Sequence, residues 1–533
     1  MPPGVRPGAT SGGKRGIVRR VKSEARSGVE ARSGLEAWGE ASLPRPAATR
    51  GLGVMGVIGP GAIILGLSIG SGEWLIGPAA FVKYGLSLLW VTSVAVFLQT
   101  ILNTELMRYT LYTGEPAVTG FMRTRPNSTF WAWFYTILYF LHVGWPAWAA
   151  NAAGAFFYLF YKKLPGGGDA GAVYLLGVGA FLGCVVILLF GRRIERTLEI
   201  LNWVLVVAIL GGMTFLCLLF FAPKVWLAAL VGYFGFDLRS GEFSFIPAGA
   251  DWFLIGAFAA YSGAGGVSNL MLSNWARDKG FGMGKTVGYI PAALGGHKVK
   301  LAHTGNVFPL TDENLATWKQ WWRIVRIDQW GVFFAGALLG MGLPAILYSI
   351  FIPPGRDIRD LAIAAELAGA VGVRGGALLA GLVALMSAWV LFKTQLDNVE
   401  GMVRALTDIL WTGSKRIRGW RGGDVRLIYY GLLVLTVVWG MLALRMARPI
   451  ILLQMAANIA GAVMVISALH ILYINVTLLP RALRPPMWRR VALVGMAVFY
   501  GFFVYLWMMG GVTPGRGKGF LFVLLRAMGV GGG

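Results

Sequence analysis

From Trp330 to Ile352 the chain runs for 23 residues without an Asp, Glu, Lys, Arg or His. A run of that length crosses a hydrocarbon core of about 30 Å as a single helix. It is one of several such runs. Only 14% of the 533 residues are charged, against roughly 25% in an average soluble domain. So few charges cannot cover a water-facing surface, and most of the chain must be hidden from water. Backbone groups in lipid have to be satisfied within the segment itself, so the predicted class is an all-α membrane protein. Glycine reaches 76 residues, about twice its usual share. Small residues let membrane helices approach closely. The glycines follow no Gly-X-Y period and the polar content is low, which argues against a collagen-like or disordered chain.

The apolar runs predict eleven spans, at about 51–82, 85–107, 130–161, 170–190, 198–222, 252–276, 328–352, 376–402, 427–444, 449–479 and 490–511. Residues 1–50 differ in kind: Gly-, Ser- and Arg-rich, with Pro2, Pro3, Pro7, Pro44 and Pro46, they read as a disordered basic tail. The predicted organisation is therefore a tail at 1–50, a transmembrane domain at 51–512 and a short C-terminal tail at 513–533. The stretch Phe520 to Val530 is too short to span and is expected at the interface or within a twelfth helix.

The net charge of +24 invites a nucleic-acid reading, but the Lys and Arg residues sit on short loops between apolar runs. The expected charged partner is the lipid bilayer, with no nucleic acid. With the N-terminus inside, the inner loops carry 24 Lys and Arg even without the tail, and the outer loops and C-tail carry 13. The positive-inside bias therefore predicts a multi-pass protein of the cell membrane with a cytoplasmic N-terminus. Cys184 and Cys217 both fall inside apolar runs and read as small hydrophobes.

Two interruptions stand out. Span one contains Ile69-Gly70-Ser71-Gly72-Glu73-Trp74, and span six contains Ser262-Gly263-Ala264-Gly265-Gly266-Val267-Ser268-Asn269. Each glycine inside a helix costs about 1 kcal/mol relative to alanine, so these stretches unwind easily. Transporters built from inverted repeats place their site where one helix in each half unwinds. The alternative is that the glycines let intact helices pack closely. Glu73 favours the first reading, because an acid near the bilayer centre is functional by default. It would otherwise be a helix cap.

Gly59-Pro60-Gly61, the interruption at 70–74, Gly85-Leu86-Ser87-Leu88-Leu89-Trp90 and Gln99 resemble the first two helices of the Nramp family of metal-ion transporters. The resemblance extends over about residues 51–512. It implies a LeuT-like bundle of two inverted five-helix repeats plus one helix, and transport of divalent metal ions, usually with protons. The family's first-helix motif Asp-Pro-Gly-Asn aligns with Gly70-Ser71-Gly72-Glu73, and its sixth-helix motif Met-Pro-His with Gly266-Val267-Ser268, followed by Asn269. The metal-binding Asp, the soft Met and the His are all replaced. The family's acidic pair in span three falls on Trp148 and Asn151. The candidate substrate contacts are therefore the residues at the two interruptions, Gly70, Ser71, Gly72, Glu73, Gly266, Val267, Ser268 and Asn269, together with Gln454 of span ten, with Glu73, Ser268 and Asn269 as candidate metal ligands.

Other polar residues lie within the spans. Glu105 and Arg108 are spaced to pair, as are Lys393/Asp397 and Glu400/Arg404 along one face of span eight. Gln395 and Asn398 lie beside them, where an ion or gating site is the alternative. His142 and His470 read first as hydrogen-bonded packing residues. Gln454 and Asn458 share a face of span ten. No Ser-His-Asp arrangement, phosphate loop or Cys-x-x-Cys pair is seen, which argues against an enzyme and implies no cofactor. Three functions remain open: a cation transporter, first of all for a divalent metal; an amino-acid or other organic-solute transporter of the same fold; and a non-transporting sensor or scaffold.

Overall fold

A computed structural model describes residues 33–48, 53, 56–189, 194–290, 301–419, 424–445 and 449–510. The C-terminal tail at 513–533, with its apolar stretch, lies outside the described residues, as do residues 1–32. Nine helices among the described residues are long and apolar enough to cross a membrane. The two other expected spans are each built from two shorter helices. Span three is Ser128–Val143 followed by Ala147–Tyr161, interrupted at Pro146, which lacks the N–H that a continuing helix needs. Span six is Trp252–Tyr261 followed by Val267–Lys279. Among the described residues helices thus stand at each of the eleven expected positions, nine of them as single helices long and apolar enough to cross.

Large apolar side chains remain exposed on the outer spans, among them Leu175, Val207, Leu435 and Val498. Such a surface is stable against lipid and not against water. The described residues of span one from Pro60 to Val82 are instead buried. Its glycines explain how it sits among so many neighbours. A methyl group on Gly66 would lie 1.8 Å from the Asn202 side chain in span five. One on Gly70 would lie 1.9 Å from Thr394 Oγ1 in span eight, and one on Gly72 would lie 1.7 Å from the Tyr261 carbonyl oxygen in span six. Span seven contributes glycines in return, with Gly336 against Leu65 and Gly340 against Ile69.

The two interruptions differ from each other. Span six is discontinuous: Gly263, Gly265 and Gly266 adopt φ values of +103°, +79° and +56°, which side-chain-bearing residues rarely reach. Span one does not unwind. Residues Ile69–Ile76 form a wider π-helical turn between Pro60–Ser68 and Gly77–Tyr84. Gly70 and Gly72 serve close approach there rather than chain reversal. Glu73 accordingly does not begin a half-helix. Gly72→Ala is expected to destabilise the fold by about 1–3 kcal/mol, the usual cost of overpacking. A lowered unfolding midpoint of the purified protein would show it.

The expected ion pairs form. Arg108 Nε is 2.7 Å from Glu105 Oε2, and Arg489 joins the same carboxylate at 2.9 Å. Lys393 pairs with Asp397, and Arg404 with Glu400. On the opposite face, Asp251 caps the first half of span six by accepting from the Phe253 and Leu254 amides, and Arg359 lies 2.8 Å from it. Residues 33–48, within the stretch expected to be disordered, pack on the face that carries the 277–326 loop. Gly39–Glu40 pairs in parallel with Asn306–Val307.

Candidate functional site

The discontinuity in span six is held open by side chains from its neighbours. Gln99 in span two donates from Nε2 to the Ser262 carbonyl at 2.8 Å and to the Tyr500 hydroxyl at 2.9 Å. Its Oε1 accepts from the Gly265 amide at 3.2 Å. One amide side chain thus supplies partners for backbone that has left the helix, as buried backbone requires. His142 does the same on the other side. Its Nδ1 accepts from the Val267 amide at 3.1 Å, and its Nε2 lies 3.0 Å from the Tyr261 hydroxyl. A ring that accepts at Nδ1 is neutral and carries its proton on Nε2, which makes His142 Nε2 the donor and the Tyr261 hydroxyl oxygen the acceptor. Both nitrogens are engaged, so His142 holds the break rather than offering a free ligand. His470 is likewise placed among hydroxyls, with Tyr135 at 2.9 Å and Thr124 at 3.0 Å.

Glu73 stands on the wide turn of span one and is fully buried. Its Oε1 accepts from the Ser68 hydroxyl at 2.5 Å. Its Oε2 has no partner of hydrogen-bond geometry among the described residues. Gly340 of span seven leaves room beside it, since a methyl group there would lie 3.8 Å from Glu73 Cγ. A buried carboxylate oxygen without a donor is a costly arrangement in a low-dielectric setting.

The predicted site residues divide into groups. Gly70, Gly72 and Glu73 are brought against spans eight, six and seven, and Gly72 touches the last residue of the first half of span six. The Ser71 side chain lies outside the described residues. Gly266 packs on His142 and Ala460, and Val267 is buried beside it. Ser268 Oγ lies 3.4 Å from Asn398 Oδ1 in span eight. Asn269 Nδ2 donates to Asn103 Oδ1 in span two at 2.8 Å, and its own Oδ1 is unpartnered among the described residues. Glu73, Ser268 and Asn269 therefore do not converge through any hydrogen bond in this conformation. Among the described residues no cluster of three or more His, Cys, Asp or Glu side chains is disposed to hold a metal. Gln454 precedes Ala460, which touches Gly266, by six residues, or about 9 Å of helix rise. It lies beside Asn458, which donates to the Phe253 carbonyl at 2.9 Å near the start of span six. Trp148 packs on Tyr261, with ring centroids 6.1 Å apart, and Asn151 donates to the Ala147 carbonyl.

Further polar atoms surround the break. Thr394 Oγ1, Asn398 Nδ2 and Asn103 Nδ2 are buried and unpartnered among the described residues. Sequence reasoning gave no role to Asn103 or Thr394. The available signal was the pair Gln99 and Asn103, two amides four residues apart in an otherwise apolar span.

Toward the face that carries the 277–326 loop, the second half of span six is tied to span eight by buried charges. Arg404 bonds Glu400 and Asp278, Arg277 NH1 lies 2.6 Å from Asp408 Oδ1, and Trp275 Nε1 donates to Glu400 Oε2 at 2.9 Å. Lys279, at the end of that half, lies 2.6 Å from Glu199 of span five. The buried Asp328 of span seven accepts from the Gly59 and Gly61 amides at 2.9 and 2.8 Å and so caps the start of span one.

A multi-pass helical bundle with a discontinuous sixth span of this kind is a LeuT-like fold. No family model matches the chain, and no curated protein matches it. Solved structures do. A histidine-to-alanine variant of the Eremococcus coleocola manganese transporter superposes with a TM-score of 0.56 at 16% identity, covering 92% of this chain and 94% of that one. The same transporter in complex with an aromatic bis-isothiourea substituted compound gives 0.54 at 16% identity, covering 92% and 93%. A glutamate-to-alanine variant gives 0.54 at 15%, covering 92% and 94%. The chain shares the fold of these transporters over nearly its whole length, in agreement with the resemblance read from its first two helices.

Proposed function

We propose that this chain is a secondary transporter that moves a cation, in the first place a divalent metal ion, by alternating access. The observation that carries the reading is the Glu73 carboxylate, fully buried beside the discontinuous span six with one oxygen lacking a hydrogen-bond partner among the described residues. A buried acid inside a membrane bundle, held here by the Ser68 hydroxyl alone among side chains, is functional by default. The likeness in fold to a manganese transporter supports the same reading. Glu73, Ser268 and Asn269 are proposed as ligands that converge only when the second half of span six moves, with Gly70, Ser71, Gly72, Gly266 and Val267 framing the site. Gln454 is kept as a contact near its outer edge.

The donors available are oxygens: a carboxylate, hydroxyls, amide carbonyls and backbone carbonyls. Oxygen donors suit Mg²⁺, Ca²⁺ and Mn²⁺, whereas soft ions want a thioether or thiolate. One carboxylate is a small ligand set, which suits a partly hydrated ion. In competition transport assays Mn²⁺ and Mg²⁺ are expected to outcompete Cd²⁺. A strong, Glu73-dependent preference for Cd²⁺ would require a sulfur ligand and would refute the proposed ligand set. A second reading, a neutral or zwitterionic organic solute, is favoured by the unpartnered amide atoms of Asn103, Asn269 and Asn398. The same assay with amino acids as competitors separates the two.

The proposed orientation places the 277–326 and 404–426 loops in the cytoplasm. Cysteines introduced at Lys285 or Lys415 are then expected to resist impermeant thiol reagents in intact cells. Ready labelling from outside would reverse the orientation.

A further inference from the structure

The segment 33–48 lies across several connections at once. Glu36 Oε2 is 2.8 Å from His303 Nε2, and its backbone carbonyl accepts from Arg123 NH1 at 2.9 Å. The Arg123 guanidinium lies 4.9 Å from the Trp38 ring centre. The Gly39 and Ala41 amides donate to the Gly305 and Val307 carbonyls, each at 3.1 Å. Farther along, the Leu43 amide donates to Asn314 Oδ1 at 3.1 Å, and the Pro44 carbonyl accepts from Trp321 Nε1 at 2.7 Å. Arg45 ends the contact 2.9 Å from Glu313. The partners belong to the connection after span two, the loop after span six and the helix Asp312–Arg326 that leads into span seven.

The loop beneath this segment is the direct continuation of the mobile half of span six in the proposed transport cycle. Phe281, two residues beyond Lys279, packs on Trp321 with ring centroids 5.3 Å apart. The Ile290 amide donates to Asp278, which also holds Arg404. Val287 and Thr286 bond forward to Ala302 and Asn306. The described parts of the loop, 280–290 and 301–307, thus contact both the helix Asp312–Arg326, through Phe281, and the segment 33–48, through Gly305 and Val307.

The segment adds only a few side chains to the core, Leu35 and Leu43 above all. Only Ser33, Leu35 and Leu43 of it are buried. A cavity of about 590 Å³, lined by Leu35, Glu36, His303, Thr412, Lys415 and Arg418 among others, separates it from the end of span eight. Leu35 and Leu43 anchor it in the hydrophobic core, with Trp38 and Ala41 packed alongside, and the rest of it is joined by a few hydrogen bonds and ion pairs. Segments of this kind open at the low end of a protein's local stabilities.

We propose that residues 33–48 form a strap that holds the second half of span six, Val267–Lys279, in the buried arrangement seen here, and that its release precedes opening of the site toward this face. The strap rests on the transporter reading for its purpose but not for its test. Amide hydrogen exchange of the full-length protein in nanodiscs is compared with chains lacking residues 1–32 or 1–48. Loss of 1–48 is expected to speed exchange across 267–290 by roughly tenfold, the change given by a modest shift in a local opening equilibrium. Loss of 1–32 is expected to leave it unchanged.

A locking pair guards against misfolding of the shorter chain. Glu40 and Val307 face each other in the parallel strand pair, a spacing that a disulfide accepts. Oxidised Glu40→Cys/Val307→Cys protein is expected to exchange more slowly over 267–290 than the same protein reduced. Equal exchange in the oxidised and reduced forms, or acceleration confined to 301–326 on loss of 1–48, would overturn the strap. Failure of the wild-type protein to transport any ion, with these exchange changes present, would count against the transporter reading alone.

Discussion

Arg404→Ala is expected to destabilise the folded protein by about 3–5 kcal/mol, the cost of leaving buried partners of an ion pair uncompensated. Arg404 is fully buried and bonds both Glu400, one turn away on span eight, and Asp278 on the second half of span six. Truncation takes the guanidinium from two buried carboxylates, leaving Glu400 with Trp275 and Asp278 with Arg277. It also removes the tie that fixes the inner half of span six to its neighbour. The unfolding midpoint in detergent is the measurement. Lys163→Ala provides the contrast, because Lys163 pairs with Asp169 while 59% of its side chain is exposed. An exposed pair is worth about 0–1 kcal/mol. Equal midpoints for the two variants would mean that the Arg404 cluster is hydrated rather than sealed.

Glu73→Gln is expected to lower uptake by roughly thirtyfold or more, since removing the charged partner of a desolvated ion costs about 2–5 kcal/mol. The variant keeps the shape of the side chain and an acceptor oxygen for the Ser68 hydroxyl. The fold is therefore expected to survive, and unchanged chromatographic behaviour and unfolding midpoint would establish that. Normal uptake by a folded Glu73→Gln protein would reduce Glu73 to a structural acid on the wide turn.

The spans were legible because lipid imposes a simple rule: long runs without charge must cross, and Lys and Arg must stay at the ends. The ion pairs of span eight were legible for a similar reason, since i,i+4 spacing fixes a shared face. Their partners across the bundle, Asp278 and Trp275, depend on tertiary packing and leave no mark in local sequence. The two glycine-rich interruptions show the limit most clearly. Ser262–Gly266 does break, because three of its glycines take left-handed backbone and Gln99 and His142 supply partners for it. Gly70-Ser71-Gly72 reads the same way in sequence but stays helical, its glycines used to admit Thr394 and the Tyr261 carbonyl. Composition cannot separate a glycine that bends from a glycine that yields space. Residues 33–48 were obscured for a different reason. Their composition is that of a tail, and their order comes from partners 80 or more residues away, such as Arg123, His303 and Trp321.

The central claim is that the buried carboxylate beside the broken sixth span carries a cation across the membrane. Purified protein in liposomes, offered Mn²⁺, Mg²⁺, Cd²⁺ and a panel of amino acids in turn, tests it most directly. The account predicts saturable uptake of an oxygen-preferring divalent ion above that of protein-free vesicles, lost in Glu73→Gln. Accumulation of an organic solute with no ion carried, or ion uptake that Glu73→Gln leaves intact, would contradict it.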